Sequence, residues 1–397
     1  MQPDYDLIIV GGGLAGNSLA LALNNTGLNI AIVEASTQEQ RQLSPAGDRA
    51  LALAAGTVEV LDTLGIWQGI HHKATAITHI HISDRGHFGK VRLSAEKENV
   101  AALGYVISAR DIETHVAHLV EQAGITLHCP ARVVGLMSGN SEVNVSLKSG
   151  NDTLNLSAKL LVGADGGSSS VRQLLDIPQR ITEYQQTALV TTVKATLPHN
   201  HTAFERFTCS GPLALLPVDK NYCSVVWTRT DEEAQALMLG SEADFIAELQ
   251  QYFGYRLGEL TLTAPRRAFP LSLIRAERMV AGRAVIIGNA VHQLHPVAGQ
   301  GFNLGLRDVV QLAAVLSKAA HNHDDIGATA LLNAYTQSRQ ADHDRVIGFT
   351  DNVVKIFSND WLALSAARNI GLSLLDHLPS AKRLLTRQAM GFVGGKV

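Results

Sequence analysis

Tyr5-Asp-Leu-Ile-Ile-Val-Gly-Gly-Gly-Leu-Ala-Gly16 decides the fold. The apolar, β-branched run from Tyr5 to Val10 has the length of one buried strand, and the glycines after it open a helical pattern through Leu14, Leu19, Ala22 and Leu23. A second apolar run, Leu28 to Val33, ends at Glu34. Strand, tight turn, helix and strand in about thirty residues make a βαβ unit. Gly11, Gly13 and Gly16 fit G-x-G-x-x-G, a pattern that tightens the turn and lets the backbone approach a pyrophosphate at a helix N-terminus. Glu34, 21 residues past Gly13, is placed to accept from ribose hydroxyls. A carboxylate there repels a 2′-phosphate, so the expected ligand is an unphosphorylated adenine dinucleotide, FAD or NAD.

Further along, Arg49 to Leu64 and Arg110 to Gln122 carry helical periodicity. Between Ile125 and Gly163 the period falls to two, with a turn at Lys148 to Asn151, and leads to a strand from Lys159 to Ala164. Thr187 to Arg229 reads as one antiparallel sheet, Ala284 to Ile287 as a short buried strand, and everything after Gln300 as helix. Strands of one dinucleotide unit therefore lie far apart in sequence. The expected fold is mixed α/β, with α+β character: a Rossmann-like unit over 1–73, 100–183 and 277–330, an antiparallel-sheet unit over 74–99 and 184–276, and a helical region over 331–397.

Composition narrows the classes. The 397 residues are 46% apolar and 17% charged, with a net charge of −3, which excludes bulk disorder and gives no basic footprint for nucleic acid. The spacing of Cys129, Cys209 and Cys223 fits neither a disulfide framework nor a zinc site. A cytoplasmic chain without signal peptide or transmembrane segment is expected, since no uninterrupted apolar stretch approaches about 18 residues. Leu378 to Val397 holds Lys382, Arg383, Arg387 and Lys396 without an acid, and Leu384, Leu385, Ala389 and Phe392 complete an amphipathic pattern. That tail is a candidate for peripheral contact with an anionic membrane or a partner protein.

Two motifs choose between the dinucleotides. Asp165-Gly-Gly-Ser-Ser-Ser-Val-Arg172 resembles the D-G-x-x-S-x-V-R segment of flavin monooxygenases of the para-hydroxybenzoate hydroxylase class, where it lies beside FAD and the visiting pyridine nucleotide. His295-Pro-Val-Ala-Gly-Gln-Gly-Phe-Asn-Leu-Gly-Leu-Arg-Asp308 resembles the signature of the ubiquinone-biosynthesis flavin hydroxylases. A helix beginning over Gly299 to Asn303 would turn its free N–H groups towards negative charge on a reduced flavin. The resemblance implies that Pro296, Gly299, Gln300 and Gly301 flank the flavin ring. It also implies that Arg49 and Arg110 lie near the flavin and the pyrophosphate. The family usually has Gly-Asp where this chain has Gly288-Asn289; asparagine still accepts a hydrogen bond, so FAD binding is expected to survive. Segments including Ala74-Thr-Ala-Ile-Thr and Phe204-Glu-Arg-Phe are most similar to the 2-polyprenyl-6-methoxyphenol hydroxylases.

The implied cofactor set is bound FAD, transient NAD(P)H and O2. No second G-x-G-x-x-G occurs, so the reductant is expected to dock transiently over the flavin. The cofactor site is expected to use Gly11, Gly13, Gly16, Glu34, Arg49, Arg110, Asp165, Gly288, Asn289, Gly299, Gln300, Gly301 and Asn303. The implied reaction transfers oxygen from a C4a-hydroperoxyflavin to 2-polyprenyl-6-methoxyphenol, para to its hydroxyl. No catalytic base is named; Arg206, Tyr222 and His292 are candidates near the substrate. Paired histidines such as His79 and His81 lack a third ligand, so no metal is expected. Expected partners are the prenylated phenol and other ubiquinone-biosynthesis proteins, with a location in the cytoplasm or peripheral to the inner membrane. Competing readings are hydroxylation of another ring position or another phenol, and a flavin-binding scaffold without turnover.

Overall fold

Strand Tyr5–Val10 is apolar on both faces because both are covered: Leu7, Ile8 and Ile9 are fully buried, as expected inside a parallel sheet. In this computed structural model, which describes residues 3–296, 299–357 and 376–391, the strand pairs in parallel with Ile30–Val33 on one side and Asp152–Gly163 on the other. Ala284–Ile286 pairs in parallel with Asp152–Gly163 in turn. The register aligns Val10 with Val33 and Gly163, and Gly163 with Ile286. Four strands from distant parts of the chain therefore end on one edge, and a sequence motif begins immediately after each. Truncating Ile9 to Ala in this core would cost roughly 2–5 kcal/mol.

Among the described residues, a second sheet has nine strands. Its path runs from Arg267–Ala276 through Gln179–Ala195, Tyr222–Thr230, Gly211–Asp219, Thr202–Thr208 and His79–Asp84 to the edge strand Lys90–Ser94. These pairings are antiparallel except for that between Thr202–Thr208 and His79–Asp84. Alternation along each strand sends Leu189, Val193, Leu213, Leu215, Val225 and Trp227 to one face. Helices Asp231–Leu239 and Glu242–Phe253 cover that face through Leu237, Phe245, Leu249 and Phe253. Thr230 and Glu233 close a capping box at the start of the first helix, and Ser241 caps the second.

The expected helix over Arg49 to Leu64 divides. Ala50–Ala54 is a strand, and only Ala55–Thr63 is helical. The strand pairs antiparallel with Gly104–Ser108, which also pairs with Thr75–Ile77; cross-strand hydrogen bonding overrides the helix propensity of its alanines. This small sheet packs against Gly211–Asp219 of the large one. Helices Gln300–His321 and Thr329–Phe357 follow, then Pro379–Ala389. Leu385 and Met390 pack on Val91 and Leu93 of the edge strand. Phe392 and Lys396 of the basic tail lie outside the described residues. Among the described residues, no helix is long and apolar enough to cross a membrane.

Candidate active site

The shared edge of the parallel sheet gathers the predicted motifs. An ideal Cβ on Gly16 would lie 1.9 Å from Gly11 O, and one on Gly11 2.4 Å from Ala164 O, so both glycines are required by the close packing of turn, helix and neighbouring loop. Gly13 and Gly301 differ: among the described residues, an added Cβ meets no atom within 4 Å beyond its chain neighbours and its own helix backbone. Both border open space of the kind a ligand's backbone-hugging groups need. Glu34 closes the end of its strand, Oε2 accepting from Gly12 N at 2.7 Å and Oε1 from Ser36 N at 2.7 Å.

Asp165 stands next to this turn. Its Oδ2 accepts from Ser170 Oγ at 2.9 Å and Val171 N at 3.1 Å, while Oδ1 is buried without a partner among the described residues. An unsatisfied buried acceptor costs about 1–3 kcal/mol, which a hydroxyl or N–H donor on a ligand would recover. Buried Arg172 donates to Gly167 O at 2.8 Å and Ala290 O at 2.9 Å, tying the Asp165 loop to the Gly288–Ala290 turn. Asn289 is exposed in that turn.

The start of helix Gln300–His321 completes the cradle. Gly299, at φ +61°, brings the chain against Ala52, whose Cβ would be 3.1 Å from a Cβ at that glycine. Gly299 offers no capping side chain, so the first-turn N–H groups, including those of Gln300 and Gly301, present partial positive charge. Pro296 O accepts from Gly299 N at 3.1 Å. Asn303 turns inward instead. Its Oδ1 accepts from Thr57 Oγ1 and Ala54 N, and its Nδ2 donates to Gly299 O and Ala52 O. That side chain straps the helix start to the small sheet, leaving the backbone to face a ligand.

Arg110 donates to Ser44 O at 3.0 Å and to Asp48 at 2.5 Å, and Asp48 also pairs with Arg267 at 2.7 Å. Arg49 is exposed, its guanidinium 5.9 Å from the Phe269 ring. Tyr222 lies across from Lys194 at the end of the sheet face away from the two covering helices. Arg206 stands on the helix-covered face, opposite Leu213, and donates to Phe253 O at 3.2 Å, so the strand directs it away from the cradle. His292 is fully buried rather than turned to a substrate, 3.2 Å from Asp308 Oδ2.

Asp308, unassigned by the sequence reading, is the centre of a strut. Its Oδ1 is 2.7 Å from both Arg339 Nε and His343 Nε2, and Gly288 N donates to Oδ2 at 3.3 Å. Burial opposes its ionisation, but hydrogen bonds from His292 and His343 outweigh that and hold the carboxyl far below its usual range. His292, Asp308 and His343 converge as metal ligands would. The Arg339 guanidinium already neutralises the carboxylate, so the group reads as ion-paired support for the Gly288 turn. A recognisable signal was present: an acid on the buried face of a helix between Leu304 and Leu312 must find a partner.

A glycine-lined turn at the edge of a parallel sheet, with an unpartnered acceptor and a helix N-terminus beside it, has the arrangement of a dinucleotide-binding protein. Residues 4–350 match the family described as FAD binding domain, and the chain belongs to that family of flavin-dependent monooxygenases. It is 35% identical to ubiquinone hydroxylase UbiL of Rhodospirillum rubrum, over 97% of this chain and 89% of that one. It is 29% identical to 3-demethoxyubiquinol 3-hydroxylase of Escherichia coli, over 97% of this chain and 98% of the relative. The fold matches p-nitrophenol 4-monooxygenase PnpA of Pseudomonas putida with a TM-score of 0.82 across the whole of both chains, at 17% identity.

Proposed function

We propose that the chain hydroxylates 2-polyprenyl-6-methoxyphenol para to its hydroxyl group in ubiquinone biosynthesis, using O2 and NAD(P)H. The observation that carries this reading is the apolar face of the large sheet that is turned away from the covering helices. Strand register puts Ala188, Val190, Ala214, Leu216, Val226 and Phe269 on the face away from the covering helices. Leu216 packs towards Ala50 and Val106 of the small sheet, whose Ala52 meets Gly299. An apolar floor opposite the helix start suits an aromatic ring with an apolar substituent.

Bound FAD would supply the activation of O2. Gly13 and the backbone N–H groups after Gly299 would accommodate its anionic parts, and Asp165 Oδ1 would accept from one of its donors. The floor would exclude water and hold the ring within reach. The likeness to 3-demethoxyubiquinol 3-hydroxylase favours a second reading, attack at another ring position of a related quinol.

The test is turnover of FAD-loaded protein with a short-chain 2-prenyl-6-methoxyphenol, following NAD(P)H, O2 and product by mass spectrometry and NMR. A para-hydroxylated product supports the proposal. A product oxidised elsewhere assigns the second reading, and flavin-dependent reductant consumption yielding only peroxide removes both.

A further inference from the structure

The outer edge of the large sheet concentrates positive charge. Lys90 and Arg92 are exposed on the edge strand, and Arg92 lies across from His81, which pairs with Phe204 on the helix-covered face. After helix Glu242–Phe253, Arg256 reaches back to within 2.7 Å of His81 Nε2. The turn before the edge strand adds Arg85, 3.8 Å above the Tyr252 ring. Arg206 completes the group beneath them. Asp84 lies among these cations and pairs with His87 at 3.2 Å, and Asp376 adds a second carboxylate at the edge strand, its Oδ1 accepting from Arg92 N at 3.2 Å. Crowding is felt inside the group: burial and then the neighbouring guanidinium groups lower Arg206, and burial followed by Arg256, Arg92 and Lys90 pushes His81 down to about 4. Neutral His81 thus adds no charge at physiological pH, while the five cations remain.

Two large aromatic side chains stand on the same tip. Phe88 is 75% exposed in the turn and Tyr255 is 72% exposed in the facing loop. Arg85 on Tyr252 and Arg256 on His81 hold turn and loop together. Exposed rings among basic side chains match the chemistry of a bilayer interface, where aromatics sit at headgroup depth and lysines and arginines meet anionic lipids. A small anion would engage the arginines and leave Phe88 and Tyr255 without a role.

We propose that the tip formed by the Arg85–Lys90 turn and the Tyr255–Arg256 loop docks on an anionic lipid surface, with Phe88 and Tyr255 entering the interface and Arg85, Lys90, Arg92 and Arg256 facing lipid phosphates. The basic helix Pro379–Ala389 is tied to the edge strand through Asp376, which also accepts from Lys382 Nζ at 2.6 Å, but its apolar side lies elsewhere. It packs on Val91 and Leu93, on the opposite face of the same edge strand. The proposal rests on the proposed function only in giving a reason to meet a prenylated substrate at a membrane, and its test requires no turnover.

FAD-loaded full-length protein is sedimented with vesicles of phosphatidylcholine alone or mixed with phosphatidylglycerol. Binding is expected to the mixed vesicles alone and to be reversed by salt near 1 M, where the Debye length falls to about 3 Å. K90E/R92E and F88S should each reduce partitioning at least about tenfold while keeping flavin absorbance and NAD(P)H oxidation with a water-soluble phenol. F88W should gain a blue-shifted emission on mixing with phosphatidylglycerol vesicles, a signal independent of the weakened variants. R383E/R387E should bind as the parent does. Equal binding to neutral vesicles, no vesicle binding, unchanged partitioning of K90E/R92E, or loss confined to R383E/R387E would overturn the proposal. So would displacement by millimolar inorganic phosphate at constant ionic strength, which would assign the cluster to a small anion.

Discussion

Replacing Asp308 with asparagine tests whether the buried strut holds the Gly288 turn in place. The side chain is fully buried, with Arg339 and His343 at 2.7 Å from one oxygen and His292 at 3.2 Å and Gly288 N at 3.3 Å from the other. Asparagine keeps the volume, removes the charge and turns one accepting atom into a donor facing other donors. Breaking one side of a buried ion pair costs about 3–5 kcal/mol. Arg339 keeps Asp342 at 2.8 Å, so the lower end, about 3 kcal/mol, is expected. At roughly 2.1 cal/mol/K of unfolding entropy per residue, a chain of this length loses about 4 °C in Tm. The freed Gly288 turn should also weaken FAD binding about tenfold, equivalent to about 1.4 kcal/mol. Melting by circular dichroism with and without FAD, and flavin-fluorescence titration, measure both effects. Because the folded carboxyl titrates below its unfolded value of 3.8, its stabilisation is complete above that value and is lost only as pH falls through the lower folded one. The carboxyl's own contribution is therefore complete between about pH 5 and 8, and the Tm gap between parent and D308N should persist across that range. A gap under about 1 °C, a gap that closes over that range, or parental FAD affinity would refute the strut.

Gly13→Ala and Gly16→Ala should separate ligand space from packing space. G13A should melt within about 1 °C of the parent when apo yet lose FAD affinity at least about tenfold, whereas G16A, with its Cβ 1.9 Å from Gly11 O, should be destabilised before FAD is added. Equal apo Tm values for the two would contradict the geometry. Asp165→Asn replaces the unpartnered acceptor, so FAD affinity should fall about tenfold in an equilibrium titration; unchanged affinity would assign that oxygen no ligand role. Burial pushes His295 down to about 4, so its folded state favours the neutral ring, and the stabilisation present above 6.5 is lost as pH falls towards 4. His295→Phe should flatten the decline of unfolding free energy, measured by denaturant titration, by up to about 1.4 kcal/mol per pH unit through that window, with an unchanged slope refuting the assignment.

The cradle was legible because its signals are local. An apolar strand, its terminal glycines and the start of the following helix sit within the twelve residues Tyr5 to Gly16, and the later motifs likewise begin where strands end. What sequence could not supply was the face each side chain takes. Arg206 alternates correctly for a strand, but only pairing with Leu213 shows that its side points towards the covering helices. Asn303 lies in a flavin-type motif, yet its partners Ala54 and Thr57 are 249 and 246 residues away. His292 looked like a polar group beside a reacting centre because its partners Asp308 and His343 come from two later helices. The strand Ala50–Ala54 was hidden for a related reason: its distant partner Gly104–Ser108 decides its conformation.

These long-range bonds also show that the Gly288 turn is held without the side chain of residue 289. The position of the turn is set from behind, by Gly288 N on Asp308 and by Arg172 on Ala290 O, whereas Asn289 is exposed and holds none of those bonds. The helix that would face the flavin is fixed in the same manner, at its first turn by Asn303 and deeper by Asp308. One carboxylate thus couples the Gly288 turn to the helix whose N-terminus completes the cradle. Orientation of the helix dipole, the property that a developing flavin charge would use, consequently depends on buried polar struts remote from the ligand surface. Changing the exposed residue of the turn alters one contact with a ligand, while changing a strut displaces the frame that presents every contact.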